Sequence, residues 1–258
     1  MDTRSPRANW RRWIGPVVVV GIVLSGCARA GGAGLGPSAT AVSEQVAHPT
    51  CRTRIDCGSR LMGGLRITFT GWLCTVGFLA RDTVTREMYV LTAGHCVAGG
   101  GVTALWSING AAVGRATAEA FHAGSNADVG EIEIADSDAA NEVYGSSGTD
   151  IRSVTAWAPN GSQTVGSKVC RSGGTSGWQC GRIVKADFDA TIGGRLIHHT
   201  WWTDFPSEAG DSGSPVLDRD GRAAGIVIAT TQTETLYSTI DGMVMELPAR
   251  PCITPRCD

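Results

Sequence analysis

Short apolar segments of strand length recur along the chain from residue 66 onward, separated by turn signals. They comprise residues 73–80, 88–93, 129–134, 151–157, 164–170, 181–188, 195–202 and 222–229. Apolar and polar positions alternate in residues 129–134, as in a strand with one buried face. A helical pattern occurs only at residues 240–247. The pattern predicts an all-β fold of two packed antiparallel β-barrels, at about 61–145 and 150–247, with a short C-terminal helix.

The first 26 residues are typical of a targeting segment. Four arginines precede an apolar run at residues 14–24, which is too short to span a bilayer but matches the core of a signal peptide. The run ends in LSGC (24–27), which resembles the bacterial lipobox, in which the cysteine is acylated. We expect 1–26 to be a lipoprotein signal peptide and Cys27 to anchor the exported protein to the outer face of the cell membrane. An ordinary secretory signal is the alternative.

The balance of charges argues against two classes of protein, disordered chains and nucleic-acid binders. The chain has 22 basic and 24 acidic residues and a formal net charge of −2, and only 18% of its residues are charged. A disordered chain or a nucleic-acid binder needs a far more one-sided charge, so we expect neither, and no nucleic acid as a partner. Residues 27–60 are rich in Gly, Ala, Ser and Thr near their start and are interpreted as a flexible tether with a small disulfide loop.

The cysteines number nine, and an odd count in an exported protein requires an explanation. Assigning Cys27 to the lipid leaves eight, which allow many pairings. Short sequence separations, together with the family resemblance described below, favour four disulfides, namely Cys51–Cys57, Cys74–Cys96, Cys170–Cys180 and Cys252–Cys257. Zinc binding is the rival interpretation, but the chain has no Cys-x-x-Cys motif, and we expect no metal and no cofactor.

Three segments contain residue types suited to nucleophilic catalysis. LTAGHC (91–96) ends a predicted strand and includes His95, whose imidazole suits a general base because imidazoles titrate near neutral pH. NADVG (126–130) places Asp128 at the start of an apolar strand, where it can turn inward and hold the histidine in one tautomer. GDSGSP (210–215) is a tight turn in which the amides of Gly210 and Ser212 can form an oxyanion hole.

Each of these segments alone has an ordinary structural explanation, as a structural histidine, a strand cap or a turn. Their joint occurrence in the order His, Asp, Ser is hard to attribute to chance. That order also excludes the α/β-hydrolases, in which the order is Ser, acid, His and the nucleophile lies in a Gly-x-Ser-x-Gly turn.

At these segments the chain resembles the chymotrypsin-like serine peptidases, and more closely the bacterial streptogrisin and α-lytic type. The resemblance rests on residues 92–96, 126–130, 170–181 and 210–213 and covers roughly 61–247. It implies two six-stranded β-barrels with the active site between them, and it supports the disulfides Cys74–Cys96 and Cys170–Cys180. It also implies that His95, Asp128 and Ser212 act as base, orienting acid and nucleophile, as expected from the residues themselves.

The chain departs from the family pattern around the substrate pocket, which we expect at Ile228, Ala229 and Thr230. Ile228 stands where the family commonly has a serine, and Thr230 where it has a glycine. Cysteines of a third disulfide, expected within 205–209 and 229–237, are absent from both segments. Pro206 takes the place where a trypsin-like pocket has its acid, which disfavours cleavage after Arg or Lys.

The resemblance therefore implies a lipid-anchored serine endopeptidase that hydrolyses protein or peptide substrates through an acyl-enzyme intermediate, expected to be a monomer. The alternative is a peptidase-fold lipoprotein that binds peptide or envelope partners with little or no turnover. The peptidase domain is expected at 61–248, followed by a disulfide-closed tail at 249–258. RLMGG (60–64) resembles the junction at which many such enzymes are cut, which implies release of the catalytic region after Arg60; a simple turn ahead of the first strand is the other interpretation. In the chymotrypsin branch of the family the amine exposed by such a cut pairs with the acid before the nucleophile, here Asp211, whereas in the bacterial branch an arginine commonly takes that role.

Overall fold

The computed structural model describes residues 61–253, with gaps at 102, 109, 136–140, 148–149 and 232. The predicted signal peptide, Cys27, the tether with Cys51 and Cys57, and Cys257 lie outside the described residues. Among the described residues, no helix is both long and apolar enough to cross a membrane.

The described chain consists of sixteen strands, two short α-helices and one 3-10 turn at Asn160–Ser162. In chain order the elements are β1 (Arg66–Phe69), β2 (Trp72–Thr75), β3 (Leu79–Asp82), β4 (Met88–Thr92), α1 (Gly94–Gly100), β5 (Leu105–Ile108), β6 (Ala111–Ala120), β7 (Val129–Ile134), β8 (Glu142–Tyr144), β9 (Ile151–Ser153), β10 (Lys168–Gly173), β11 (Gly177–Ile192), β12 (Arg195–Thr203), β13 (Pro215–Asp218), β14 (Ala223–Thr230), β15 (Thr235–Thr239), α2 (Ile240–Glu246) and β16 (Ala249–Pro251).

Strands β1 to β7 and the C-terminal β16 form a barrel-like antiparallel sheet of eight strands, in the order β16-β3-β4-β7-β6-β5-β1-β2. Strand β4 is buried at every position because it lies between β3 and β7 and is covered on both faces. Strand β7 keeps the alternation predicted from its sequence at its end, where Glu133 is exposed between the buried Ile132 and Ile134. The core of this sheet includes Trp106, Leu65 and Ile67.

The second half forms a closed six-stranded barrel, in the order β10-β11-β12-β15-β14-β13. Closure pairs every strand on both sides and leaves no edge. Trp201, Phe205 and Tyr237 fill its interior and are all nearly inaccessible to solvent. The predicted all-β fold with two barrel-like sheets and a C-terminal helix is therefore confirmed.

A third apolar cluster joins the two sheets. Phe78, Leu91 and Val129 from the first sheet pack in the same cluster as Ile226 and Ile228 from the second. Burial of this shared surface fixes the two barrels against each other, since removing apolar area from water contributes roughly 25 cal/mol per Å². The loops that begin or end at these strands therefore meet in a defined arrangement.

The end of the chain returns to the first sheet. Helix α2 is capped by Thr239, whose hydroxyl accepts a hydrogen bond from Gly242 N–H at 3.2 Å. Strand β16 then pairs with β3, in a register that sets Ala249 opposite Asp82. The sequence interpretation placed these residues in the C-terminal tail, because three residues are too few for a strand pattern to be seen.

The long hairpin of β11 and β12 also extends beyond its predicted bounds. β11 reaches Ile192, whereas the sequence pattern ends at residue 188. The pairing register shifts three times between Ile183 and Ala190, and Asp187 has a positive φ of 51°. These irregularities break the two-residue period by which a strand is recognised.

Two of the four predicted disulfides lie within the described residues and both are confirmed, Cys74–Cys96 and Cys170–Cys180. The first joins β2 to α1, and the second crosses from β10 to β11. Cys252 is buried in the first core, and its predicted pairing with Cys257 lies outside the described residues.

Glu131 is a buried acid in β7, with 3% of its surface exposed. Its Oε1 accepts a hydrogen bond from Ala249 N–H at 3.2 Å and so connects β7 to β16. Burial raises the pKa of Glu131 to about 7, against the opposing effect of that hydrogen bond. The folded protein therefore holds a proton on this side chain at pH values where the unfolded chain has released it.

We predict that Glu131→Gln stabilises the protein above pH 7 but not at pH 4.5. The folded-state pKa is raised, so the wild-type free energy of unfolding falls as pH rises from about 4.5 to about 7. The glutamine removes this loss, worth at most about 3 kcal/mol, and keeps the acceptor for Ala249. Denaturant titrations at several pH values measure the difference, and the exposed Glu133→Gln serves as the control. A pH-independent difference would contradict the assignment.

Candidate active site

The three predicted site residues lie beside strand ends where the two barrels meet. His95 is in the first turn of α1, directly after β4, and Asp128 immediately precedes β7. Ser212 lies in the turn before β13 of the second barrel. The fold thus brings segments far apart in sequence to one boundary.

His95 and Asp128 form a close pair. Asp128 Oδ2 lies 2.6 Å from His95 Nδ1, and Asp128 Oδ1 accepts a hydrogen bond from His95 N–H at 2.8 Å. The Asp128 side chain is fully buried. A buried carboxylate in this position favours the tautomer with the proton on Nδ1, so that Nε2 is left as a proton acceptor facing the cleft.

Two neighbours make this pair possible. A Cβ atom on Gly94 would lie only 3.0 Å from Asp128 Oδ1 and 2.7 Å from Val129 O, so a glycine is required for the close approach. On the other side, Asp128 N–H donates a hydrogen bond to the buried Ser238 Oγ at 2.9 Å. The sequence analysis did not identify Ser238, which lies 110 residues away from Asp128.

The Ser212 turn is fixed by backbone hydrogen bonds. Gly213 N–H donates to Val227 O at 2.8 Å, and Ser214 N–H donates to Asp211 O at 2.9 Å. Gly210 and Gly213 have φ values of +95° and +88°, in the region that favours glycine. A Cβ on Gly213 would also clash with the first barrel, because Thr92 Oγ1 lies 2.2 Å from its position.

Thr75 of β2 connects this turn to the first barrel. Thr75 N–H donates to Ser212 O at 2.8 Å, and the Thr75 hydroxyl donates to Gly210 O at 2.7 Å. Thr75 O in turn accepts from the hydroxyl of Thr92, three residues before His95, at 2.8 Å. One buried threonine therefore links the segments that contain Ser212 and His95.

The structure leaves three polar groups of the turn without a described partner. The amides of Gly210 and Ser212 donate no hydrogen bond to any described residue, and no bond joins the half-buried Ser212 hydroxyl to His95. Buried or half-buried amides are normally paired. Two free amides on either side of Asp211 are available to an oxygen atom of a ligand.

Asp211 is paired behind the turn with Arg171 of β10. Its Oδ2 lies 3.2 Å from Arg171 Nη1, and both side chains are fully buried. Asp211 also accepts hydrogen bonds from the amides of Thr175, Ser176 and Glu208. Burial lowers the pKa of Arg171, and the adjacent Asp211 carboxylate acts in the opposite direction. The ion pair compensates two charges that would otherwise be costly to bury.

The predicted pocket residues follow one another along β14 and differ in exposure. Ile228 is buried and contacts the cleft beside His95, Ala229 is half-buried, and Thr230 is exposed. The Thr230 hydroxyl lies 3.0 Å from Ser207 O, within hydrogen-bonding distance. Hydroxyl contacts connect this strand and the next to residues 205–209, and they include Thr235 Oγ1 to Phe205 O at 2.7 Å.

The resemblance implied an arginine partner for Asp211, but sequence reasoning did not identify it as Arg171, although a signal for that residue was present. Arg171 lies in a strand of otherwise small or apolar residues, VCRSG (169–173), and is buried there. A buried arginine requires an acidic partner, and Asp211 of the GDSGSP motif is an acid close to the predicted nucleophile. Thr75 carried no comparable signal, because threonine is common in strands.

A cleft of about 350 Å³ lies beside His95. Its lining comprises Trp72, His95, Ala98, Gly99, Phe121, Ile192, Gly193, Arg195 and Ile228. Among the described residues, no group of three or more His, Cys, Asp or Glu side chains is arranged to hold a metal ion.

Comparison with known proteins identifies the family of the chain. Residues 71–226 match the model of the trypsin-like peptidase domain. Serine protease 2 of Streptomyces fradiae is 31% identical over 151 residues, which cover 57% of this chain and 81% of that protein.

Two solved structures extend the comparison to the fold. The Nocardiopsis protease NAPase is 26% identical and superposes with a TM-score of 0.63, over 75% of this chain and 99% of that one. The α-lytic protease homologue N4 is 21% identical, with a TM-score of 0.61, over 74% and 98% of the two chains, and shows the same fold. On this evidence the chain belongs to the trypsin-like peptidase family and is a serine protease with the chymotrypsin-like fold.

Proposed function

We propose that the protein is a serine endopeptidase in which Ser212, His95 and Asp128 form the catalytic triad. The observation that carries the proposal is the buried Asp128 carboxylate 2.6 Å from His95 Nδ1. An isolated carboxylate is costly to bury, and here it is compensated by the histidine that needs it. The unpaired amides of Gly210 and Ser212 on the adjacent turn support the same conclusion.

In this mechanism, His95 Nε2 accepts the Ser212 hydroxyl proton as Oγ attacks the carbonyl carbon of the substrate peptide. The carbonyl oxygen becomes negatively charged and accepts hydrogen bonds from the amides of Gly210 and Ser212. The C–N bond then breaks, and the leaving amine takes its proton from His95, which leaves an acyl-enzyme. Water, deprotonated by His95, cleaves the ester, and the returned proton restores the Ser212 hydroxyl.

Asp128 acts through His95. Its negative charge stabilises the imidazolium that forms when His95 accepts the proton, and its hydrogen bonds hold the ring in one orientation. The described partners of the Asp128 carboxylate are the backbone N–H and the ring Nδ1 of His95. Ile228, at the position where the family commonly has a serine, has no hydroxyl to add a further hydrogen bond.

We predict that Ser212→Ala lowers kcat/KM for peptide hydrolysis by on the order of 10³-fold or more without loss of folding. Activity of the wild type should be lost at acid pH, because a protonated imidazole cannot accept the serine proton. Initial rates with a fluorogenic peptide measure both effects. The control is Ser214→Ala. This variant removes another hydroxyl of the same turn, which donates a hydrogen bond to Asp211 O.

Labelling with a fluorophosphonate separates the enzyme from the alternative of a peptidase-fold binder. A serine peptidase is labelled at Ser212 in a pH-dependent manner, and Ser212→Ala is not. Folded wild-type protein that binds peptides but is neither labelled nor active would overturn the proposal.

We further propose that Ile228, Ala229 and Thr230 border the pocket for the residue before the scissile bond. Thr230 adds a branched side chain where the family commonly has glycine, which reduces the space available. The expected preference is for small or medium apolar residues, and Pro206 supplies no charge to attract Arg or Lys.

We predict that Thr230→Gly raises the cleavage of peptides with Phe at this position about tenfold relative to those with Ala. A peptide library profiled with wild type, Thr230→Gly and the exposed neighbour Thr231→Gly measures the shift. Dominant cleavage after Arg or Lys by the wild type would refute this pocket.

We also propose that the enzyme is a monomer held at the outer face of the bacterial membrane by lipid on Cys27. Proteolysis after Arg60 would release the peptidase domain that begins at residue 61. A new amine at Leu61 is not needed as a partner of Asp211, which already pairs with Arg171.

We predict that intact mass spectrometry finds diacylglycerol on Cys27 and that Cys27→Ser moves the protein from membranes to the medium. Any soluble form of the wild type should begin at Leu61, and Arg60→Ala should abolish it. Unmodified Cys27 in the membrane fraction would contradict the anchor, and soluble forms that begin elsewhere would contradict the cleavage site.

A further inference from the structure

The β11–β12 hairpin reaches from the second barrel to the cleft beside His95. Gly193 and Gly194 form its two-residue turn, with φ values of +55° and +80°. Two positive φ angles are characteristic of the tight turns that match strand twist, and they require glycine or a similar residue. The register places Ile192 opposite Arg195 at the tip, and both residues line the cleft.

This tip is held in place by the loop that leads to Asp128. Gly124 N–H donates to Leu196 O at 2.8 Å, and His198 N–H donates to Ser125 O at 2.9 Å. Gly193 also contacts this loop, because a Cβ at that position would lie 3.3 Å from the Phe121 ring. The backbone at Arg195 is therefore fixed relative to the active-site loop.

The Arg195 guanidinium lies over a ring that also contacts His95. Its central carbon is 4.4 Å from the centroid of Phe121. The Phe121 ring meets the His95 imidazole edge to face, with centroids 5.7 Å apart. This stacking orients the planar guanidinium and leaves its N–H groups available.

The Arg195 guanidinium has no carboxylate partner among the described residues. Among the described residues, Arg195 forms no ion pair and no hydrogen bond. The cleft lining has no carboxylate, and its other members are apolar residues, glycines and His95. By contrast, the hairpin histidines each lie beside an aspartate, His198 near Asp189 and His199 near Asp187.

We infer that Arg195 is a specificity-determining residue that binds an acidic side chain of the substrate in the subsite next to His95. The inference rests on the proposed peptidase function. The guanidinium presents parallel N–H groups that match a carboxylate in a bidentate pair. Arg195 is exposed, so solvent screens the interaction, and we expect a preference of about fivefold for Glu over Gln rather than an absolute requirement.

The experiment uses sets of fluorogenic peptides in which one residue at a time is Glu, Gln or Lys. The varied residue is the second, third or fourth residue on the N-terminal side of the scissile bond. Wild type should show a kcat/KM about fivefold higher for Glu than for Gln at one of these positions, and a smaller ratio at high salt. Arg195→Gln should bring the ratio to about one, and Arg195→Glu should favour Lys. Lys185→Gln is the matched control, because Lys185 stacks on Phe188 of the same hairpin and does not line the cleft.

Binding measurements separate failure of this inference from failure of the proposed function. The same peptides are titrated calorimetrically into Ser212→Ala, with and without Arg195→Gln, so that the preference is read without turnover. A wild-type Glu to Gln ratio near one at every position, or an unchanged ratio in Arg195→Gln, would overturn the role of Arg195. If the peptides are not cleaved but Ser212→Ala still prefers Glu through Arg195, the peptidase mechanism fails and the subsite stands.

Discussion

The arrangement of the nucleophile depends on a buried ion pair between Arg171 and Asp211. Both side chains are removed from solvent, and Asp211 is bonded to three amides in addition to the arginine. Breaking such a pair leaves an uncompensated buried charge, at a cost of about 3–5 kcal/mol. Because Asp211 directly precedes Ser212, the ion pair stabilises the turn conformation in which the amides of Gly210 and Ser212 remain free.

The remaining active-site groups are aligned across the boundary between the barrels. Thr75 bonds the Ser212 turn to the first barrel, while Ser238 of the second barrel accepts from the amide of Asp128. The first barrel thus positions the Ser212 turn of the second barrel, and the second barrel positions Asp128 of the first. The hairpin tip with Arg195 completes one wall of the cleft, so its charge is placed relative to His95 by the same packing.

Much of this site could be predicted from sequence because its chemistry is concentrated in three short motifs. The all-β class followed from strand-length apolar segments, and His95 and Asp128 meet as their motifs suggest. Arg195 and Ser238 could not be found this way, since their roles arise from a long hairpin with shifted register and from a side-chain hydrogen bond between residues 110 positions apart in the sequence. Strand β6 was also missed, because its alanines and glycine give a weak apolar pattern.

The central claim is that Arg171, and not a newly formed N-terminus, organises the Ser212 turn. The most direct measurement is the rate of fluorophosphonate labelling of a chain that cannot be cut, Arg60→Ala, with and without Arg171→Leu, and with circular dichroism to verify folding. We predict rapid labelling of the uncut chain, slow labelling of the Arg171→Leu variant, and intermediate labelling of Arg171→Lys. An uncut chain that stays unreactive until it is cleaved, or a folded Arg171→Leu variant that labels at the full rate, would contradict the account.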